Sequence, residues 1–115
     1  MKIQGIGVDI IEVKRIKNIA RKRGSFLSRV FTEEEIKYCQ RKKNPWQHLA
    51  VRFAAKEAIW KTLGKNRISL KNISIKNEPS GKPKVFLNGK EKRNIYLSLS
   101  HCQEYALAQA LLVKE

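Results

Sequence analysis

Apolar and polar residues alternate over residues 2–10, and this two-residue period predicts a β-strand there. The two faces of the strand differ, because one is apolar and the other is nearly bare apart from a single carboxylate. The faces consist of Ile6, Val8 and Ile10 on one side, and of Gly5, Gly7 and Asp9 on the other. Since glycine carries no side chain, another element can approach the second face closely.

Further alternation in the second half of the chain predicts an antiparallel meander. Strands separated by Gly, Pro and Asn turn residues are expected at 70–76, 85–87 and 95–101, with the turns at 78–83 and 88–89. The next stretch is an apolar run from Tyr105 to Val113, which periodicity alone does not distinguish from a buried helix. Its short length favours a central strand.

Helical spacing of apolar residues predicts two helices, one over residues 12–23 and one over residues 46–63. Gly64 follows the second of these and is the expected residue just beyond its end, because glycine adopts the left-handed backbone conformation without strain. The apolar residues between 26 and 31 are expected in a loop or a short turn that packs on the core.

A third helix is predicted to begin after Thr32 and to end near Lys43. Thr32 and Glu35 have the spacing of a capping box, in which each side chain bonds the backbone N–H of the other residue. The predicted fold class is therefore α+β, with an N-terminal strand, helices and then an antiparallel meander. We expect one domain over residues 1–115.

The helix predicted for residues 46–63 has a face of small side chains that also carries an acid and a base. Its members are Ala50, Ala54, Glu57, Ala58 and Lys61. Because small residues let another backbone come close, the bare face of the first strand is the matching surface, and Asp9 should meet Glu57 there. The alternatives are an exposed salt bridge between Glu57 and Lys61, and a role for Asp9 as the cap of the next helix.

The sequence is strongly basic, with 25 Lys and Arg against 10 Asp and Glu and a formal net charge of +15. Nucleic acid, an acidic protein, a phosphate-rich cofactor and an anionic membrane all have the complementary charge. No apolar run approaches the ~20 residues that span a bilayer, and no apolar signal segment follows the N-terminus, so we expect a cytoplasmic protein. Cys39 and Cys102 lack metal-ligand spacing and are expected to be free thiols.

The helix predicted for residues 12–23 has a basic face. Its cations include Lys14, Arg15, Arg21 and Lys22, and Glu12 is the only acid there. Such a face is often simply solvated, but like charges repel along a helix, and an acidic partner would relieve that repulsion. We therefore interpret this face as a docking surface for an acidic protein.

Asp9, Glu57, Lys61 and His101 are the candidate reactive groups. Two converging carboxylates suit Mg²⁺, which commonly takes one or two protein carboxylates and uses substrate phosphates for other positions. A nearby lysine and histidine can donate to phosphate oxygens, so the set fits phosphoryl transfer. His101 by itself would more often be an ordinary histidine at the end of a strand.

Two other classes of protein explain less of the sequence. A non-enzymatic nucleic-acid binder would account for the charge, but Asp9 and Glu57 would repel a phosphate backbone, and the aromatic residues are not interleaved with the basic runs. An interaction module that binds an acidic protein without catalysis would not need Asp9, Glu57, Lys61 and His101 together.

Five short blocks occur together and in order along the chain. They are Gly5-Ile6-Gly7-Val8-Asp9-Ile10, Phe31-Thr32-x-x-Glu35, Arg52-Phe53-Ala54-Ala55-Lys56-Glu57-Ala58, Gly81-Lys82-Pro83 and Ser98-Leu99-Ser100-His101. In these blocks and their spacing the sequence resembles the holo-acyl carrier protein synthases, the small bacterial type of 4′-phosphopantetheinyl transferase. The resemblance extends from residue 3 to about residue 113, and it implies the fold of that family.

The resemblance also implies an activity. Enzymes of this family move the 4′-phosphopantetheine group of coenzyme A onto a serine of apo-acyl carrier protein, an acidic helical protein, and release adenosine 3′,5′-bisphosphate. They require Mg²⁺ and support fatty acid biosynthesis. The family forms homotrimers with active sites between subunits, and the resemblance implies neither a nucleic acid nor a membrane as partner.

When the functional residues of the family are matched to this sequence one by one, the resemblance implies that Asp9 and Glu57 hold the metal. Glu57, or a water beside it, would take the serine proton, Lys61 would bind the pyrophosphate, and His101 would also act in catalysis. The implied contacts to coenzyme A come from Lys61, Gly64, Pro83, Ser100 and His101, and those to the carrier protein from Lys14, Arg15, Arg21 and Lys22.

The chain departs from the family pattern after the central helix. The family has a longer, glycine-containing loop there, and this chain has only the segment from Leu63 to Ile68. Residues beyond Gly64 in this segment therefore receive no implied role. Arg52 and Lys56 match the family block, and the 3′-phosphate of coenzyme A is a candidate target for one of them.

Overall fold

Helices and strands follow one another in the computed structural model, which describes residues 1–115. The helices are α1 (Val13–Lys22), α2 (Phe26–Val30), α3 (Glu33–Gln40) and α4 (Pro45–Thr62). The strands are β1 (Ile3–Glu12), β2 (Ile73–Asn77), β3 (Pro83–Leu87), β4 (Lys90–Glu91), β5 (Ile95–His101) and β6 (Tyr105–Val113). The predicted α+β class is confirmed.

The strands form two antiparallel sheets, ordered β1-β6-β5 and β2-β3-β4. The predicted meander is thus divided, because β2 to β4 form one sheet while the β5–β6 hairpin joins β1 in the other. Tyr105–Val113 is the central strand of its sheet, as its length and apolar character predicted. No helix is both long enough and apolar enough to cross a membrane.

α4 packs along one face of the β1-β6-β5 sheet, which we call the inner face, and the opposite side is the outer face. Small side chains of β6 allow this packing, because Ala106, Ala108 and Ala110 are fully buried beneath the helix. The strand register places Asp9, Ala108 and Leu99 side by side on the inner face. The long helix and this sheet therefore enclose most of the core.

The residues at the helix ends adopt the capping roles that the sequence predicts. Thr32 and Glu35 form a complete capping box, with Glu35 N donating to Thr32 Oγ1 at 3.1 Å and Thr32 N donating to Glu35 Oε1 at 2.9 Å. Pro45 occupies the first turn of α4, where its missing N–H costs nothing. Gly64 has a φ of +57° just after α4, in the left-handed region expected of it.

Several element assignments differ from the sequence-based expectations. The segment after Gly24 forms the short helix α2 instead of a loop, and α3 ends at Gln40, before the cluster of like charges that follows it. Leu70 begins a 3₁₀ turn instead of β2, because its carbonyl accepts a hydrogen bond from the Lys56 ammonium. The two-residue strand β4 was not predicted, and it follows the tight turn formed by Asn88 and Gly89.

Candidate active site

The bare face of β1 and the small-residue face of α4 are in direct contact. A Cβ atom built on Gly5 would lie 2.5 Å from the carbonyl oxygen of Thr62, and one built on Gly7 would overlap the carbonyl oxygen of Ala58. Since backbone atoms occupy this space, only glycine fits at either position. The predicted pairing of the two surfaces is confirmed, and it sets the distance between β1 and α4.

Asp9 and Glu57 lie on the two sides of this contact. Partial burial raises the pKa of the Glu57 carboxyl, the negative charge of Asp9 raises it further, and the Lys61 ammonium opposes both. Asp9 does not cap α1, because Glu12 occupies the N-cap position and makes no side-chain capping bond. The chain's only aspartate thus stands within electrostatic reach of an acid 48 positions later in the sequence.

Lys61 reaches across to β1 instead of forming an ion pair along α4. Its Nζ donates to the backbone oxygen of Val8 at 2.8 Å and lies 3.4 Å from Asp9 Oδ1. No ion pair joins Lys61 to Glu57. The Lys61 side chain is 45% exposed, so its ammonium is available to an anion that enters from solvent.

The donor set at this position fits a hard divalent cation. Asp9 and Glu57 present carboxylate oxygens, the ligand type that Mg²⁺ prefers, and a bound cation would remove the repulsion between them. No third His, Cys, Asp or Glu joins them. The chain itself can therefore supply two ligands, and the remaining positions would fall to water or to a substrate.

His101 occupies a different place within the chain. It ends β5 on the inner face, with Nδ1 2.9 Å from Gln47 Oε1 and its ring edge-on to His48 at a centroid distance of 5.0 Å. Burial lowers the pKa of His48, and His101 lowers it further. Because Gln47 and Glu57 are ten residues apart, roughly 15 Å along the helix, one copy of the chain does not bring His101 to the carboxylates.

The remaining residues assigned to coenzyme A are also dispersed. Gly64 lies two residues beyond the end of α4 and three residues after Lys61. Pro83 begins β3 after a turn in which Gly81 has a φ of +93° and accepts a hydrogen bond from Asn77 Nδ2. Ser100 lies on the outer face of the first sheet, beside Leu107. These residues do not form a single cleft in one copy of the chain.

The basic face of α1 is exposed, as its sequence predicts. Lys14 and Arg21 line a groove of about 410 Å³ between α1 and the start of α4, where Lys43 and Trp46 form the opposite wall. A smaller depression of about 320 Å³ beside it is lined by Arg15 and Lys22 among others. All four predicted docking residues thus belong to one cationic surface.

Sequence reasoning missed the buried polar residues on the remaining side of α4. Lys56 is fully buried and pairs with Glu35, and Arg52 is buried with its guanidinium over the Tyr38 ring at 4.3 Å and donating to Asn77 Oδ1. The available signal was their spacing, because two long cations four residues apart interrupt an otherwise apolar side of the helix. Lys56, with no exposed surface, cannot reach the 3′-phosphate of coenzyme A.

Comparisons with known proteins find relatives that match nearly the whole chain. Residues 5–110 match the family described as the 4′-phosphopantetheinyl transferase superfamily. The holo-[acyl-carrier-protein] synthase of Thermodesulfovibrio yellowstonii is 49% identical over 108 residues, which cover 92% of this chain and 95% of that protein. The protein of the same name from Caldanaerobacter subterraneus subsp. tengcongensis is 45% identical over 118 residues, covering 94% and 93% of the two chains.

Solved structures show the same likeness over the whole chain. The crystal structure of a holo-(acyl-carrier-protein) synthase from Bacillus anthracis, in complex with CoA (3′,5′-ADP), superposes with a TM-score of 0.84 at 34% identity and covers 100% of both chains. The synthase from Neisseria meningitidis gives a TM-score of 0.85 at 33% identity, covering 97% of this chain and 99% of that one.

Proposed function

Since this chain belongs to the holo-acyl carrier protein synthases of the 4′-phosphopantetheinyl transferase superfamily, we propose that it transfers 4′-phosphopantetheine from coenzyme A to a serine of an apo-acyl carrier protein. The proposed reaction is Mg²⁺-dependent, releases adenosine 3′,5′-bisphosphate and supplies holo-carrier protein for fatty acid biosynthesis. The observation that carries the proposal is the approach of Asp9 to Glu57 across the glycine face of β1, with Lys61 alongside.

Asp9 and Glu57 would hold Mg²⁺, which when bound supplies positive charge to the pyrophosphate of coenzyme A. The serine oxygen attacks the β-phosphorus, and the bond from that phosphorus to the bridging oxygen of the α-phosphate breaks. Glu57 receives the serine proton, directly or through a water. Lys61 leaves Val8 O and Asp9 to donate to the departing phosphate.

A homotrimer would complete this site. The outer face exposes large apolar side chains, including Ile6, Val8 and Ile10 at 62%, 54% and 64%, together with Tyr96 and Leu107. Contiguous apolar patches of this kind commonly mark protein–protein interfaces. The family resemblance implies that coenzyme A binds between subunits, so Ser100, His101 and Pro83 of one copy are proposed to contact the coenzyme A that is held at Asp9 and Glu57 of a second.

Carrier docking is proposed for the basic surface of α1, since an acidic helical protein complements its charge. We expect Arg15→Glu to raise the KM for the carrier with little effect on kcat, because charge here governs encounter and not the reacting groups. Lys90→Glu, at an exposed position in β4, gives the same change in net charge elsewhere and should leave the KM unchanged. An equal effect of both variants would contradict a local docking site.

Mass spectrometry tests the proposed reaction directly. Purified protein, coenzyme A, Mg²⁺ and an apo-carrier protein should yield a carrier heavier by one phosphopantetheine. Asp9→Ala and Glu57→Gln should abolish the mass shift, whereas Glu34→Gln, an exposed carboxyl on α3, should retain it. No shift with the unmodified protein, while a known transferase modifies the same carrier, would refute the proposal.

The proposed place of action is the cytoplasm. The two cysteines are both free, and Cys39 is buried while Cys102 is exposed. Burial raises the pKa of the Cys39 thiol to about 11, so it stays protonated and unreactive. Free thiols suit a reducing compartment, which supports this location.

A further inference from the structure

Lys56 is a fully buried lysine with each of its three ammonium protons matched by an acceptor. Its Nζ lies 2.8 Å from Glu35 Oε1 and donates to the backbone oxygens of Leu70 at 3.1 Å and Ile73 at 2.5 Å. These partners come from α3, from the 3₁₀ turn and from the start of β2. One side chain of α4 is therefore tied to three separate parts of the fold.

Both carboxylate oxygens of Glu35 also have hydrogen-bond partners. Its Oε1 also accepts from Thr32 N at 2.9 Å, and its Oε2 accepts from Ile75 N at 3.0 Å. The carboxylate thus closes the capping box of α3, binds β2 and pairs with Lys56 on α4. We call Glu35, Lys56 and the backbone groups that they bond the buried clamp.

Stability alone does not account for a buried ion pair. Taking both charges out of water opposes their mutual attraction, and well-packed apolar residues of similar volume often stabilise a core as well or better. Directional hydrogen bonds to a charged group restrict the helix more than apolar packing does, because they form only at one rotation of α4 about its axis and one position along it. Its value is therefore in geometry.

That geometry bears directly on the site, because Glu57 is the next residue of α4. Successive residues of a helix point about 100° apart, so anchoring Lys56 toward β2 turns Glu57 toward β1 and Asp9. A rotation of about 10° would move a carboxylate roughly 6 Å from the helix axis by about 1 Å. Misplacement on that scale can reduce a rate by about 100-fold.

We propose that Lys56 is a positioning residue, which together with Glu35 holds α4 in the rotation that points Glu57 at Asp9. The proposal rests on the proposed function, since it assigns Lys56 a purpose in the metal site. It explains why a lysine is buried one residue before a proposed metal ligand, and why its partner carboxylate is bound from three sides.

The test measures the affinity of the full-length protein for Mn²⁺, with no coenzyme A or carrier present. Electron paramagnetic resonance reports how much Mn²⁺ is bound, and Mn²⁺ here probes the two carboxylates. Lys56→Met combined with Glu35→Gln removes both charges without leaving either one buried and unpaired. We expect this folded double variant to bind Mn²⁺ at least 10-fold more weakly, and to lose about 100-fold in kcat with a much smaller change in the KM for the carrier.

Val113→Ala is the control, since it truncates a buried side chain at the end of β6 away from the clamp. It should lower thermal stability while keeping Mn²⁺ affinity and kcat within about twofold of the unmodified protein. If the double variant does not fold, Lys56→Gln combined with Glu35→Gln gives the same comparison, because it also removes both charges and its two amides can still form hydrogen bonds in the buried space.

Mn²⁺ affinity and kcat equal to those of Val113→Ala would overturn the proposal and leave the clamp a structural role only. This outcome differs from failure of the proposed function, in which the unmodified protein itself would show no phosphopantetheine transfer. Mn²⁺ binding would still report on the clamp in that case, since it is measured without coenzyme A or carrier.

Discussion

At the scale of single residues, Glu57 shows how position determines chemistry. Its carboxyl is partly removed from water and faces the negative charge of Asp9, and both effects favour the protonated form. The folded protein therefore binds this proton more tightly than the unfolded chain does. Ionising Glu57 in the absence of a cation opposes folding, whereas a bound cation would reverse that effect.

This reasoning predicts how stability responds to pH without a divalent metal. Above the ordinary glutamate pKa of about 4.3, the raised pKa of Glu57 in the folded state lowers the free energy of unfolding as pH increases. Glu57→Gln should therefore melt at a higher temperature than the unmodified protein at pH 8 in EDTA. The difference should vanish at about pH 3, where the carboxyl is protonated in both states.

Mg²⁺ provides the complementary measurement for the same pair of proteins. It should raise the melting temperature of the unmodified protein and leave that of Glu57→Gln nearly unchanged, because the variant lacks one of the two carboxylates. Glu34→Gln serves as the control and should behave like the unmodified protein throughout. A lower melting temperature for Glu57→Gln than for the unmodified protein at pH 8 in EDTA would contradict a raised pKa of the Glu57 carboxyl.

The tertiary contacts of some residues can be predicted from the sequence, and those of others cannot. Asp9 and Glu57 could be paired from pattern alone, because glycines on one element and alanines on the other predict a close contact. Glu35 could be predicted only as half of a capping box, a local role that four residues define. Its second role needs Ile75 and Lys56, and no local pattern brings partners 40 and 21 positions away to it.

At the scale of elements, the contact of β1 with α4 is the feature that the sequence specifies most directly. Periodicity predicts both elements, and residue size predicts which faces meet. Boundaries are less well specified, because they depend on tertiary bonds. β2 begins three residues later than alternation suggests, since the Leu70 carbonyl bonds to Lys56 instead of extending the strand.

Gly7→Ala tests the contact between these elements. The added Cβ would overlap the backbone oxygen of Ala58, so β1 or α4 must move, and we expect a loss of about 3 kcal/mol in the free energy of unfolding, the upper end of the range for overpacked sites. Gly24→Ala is the matched control, because nothing lies within 4 Å of its added Cβ.

The control should be neutral or stabilising by about 0.4–1 kcal/mol, since alanine restricts the unfolded chain. Chemical denaturation with urea measures both variants against the unmodified protein. Equal stabilities for Gly7→Ala and Gly24→Ala would show that β1 and α4 are not in close backbone contact.

At the scale of the whole molecule, one copy of the chain separates the groups that the reaction needs. Asp9, Glu57 and Lys61 lie together, while His101, Ser100 and Pro83 lie elsewhere on the fold. Alternation identifies the apolar face of β1 but not what covers it, because a partner subunit leaves no periodic signal of its own. The predicted trimer came from the family resemblance, and the exposed outer face supports it.

Val8→Asp tests assembly through the outer face. A carboxylate at this position would be desolvated in an interface, so we expect sedimentation velocity to show dissociation to monomers and the transfer activity to fall with it. Ser69→Asp adds the same charge at an exposed position away from this sheet and should change neither property. An assembly that survives Val8→Asp would rule out this face as the subunit contact.

Successive residues of β1 belong alternately to the outer face and to the face that meets α4, so a slip of one residue would exchange the two sets. Ile6 and Val8 would be forced against the backbone of α4, and the glycines would turn outward. A single-codon insertion or deletion within β1 would thus remove the metal site and the subunit contact in one event. An insertion or deletion between Gly64 and Ser69 would not change the register of β1, so the metal site and the subunit contact would both be retained. We therefore expect this loop to tolerate changes in length.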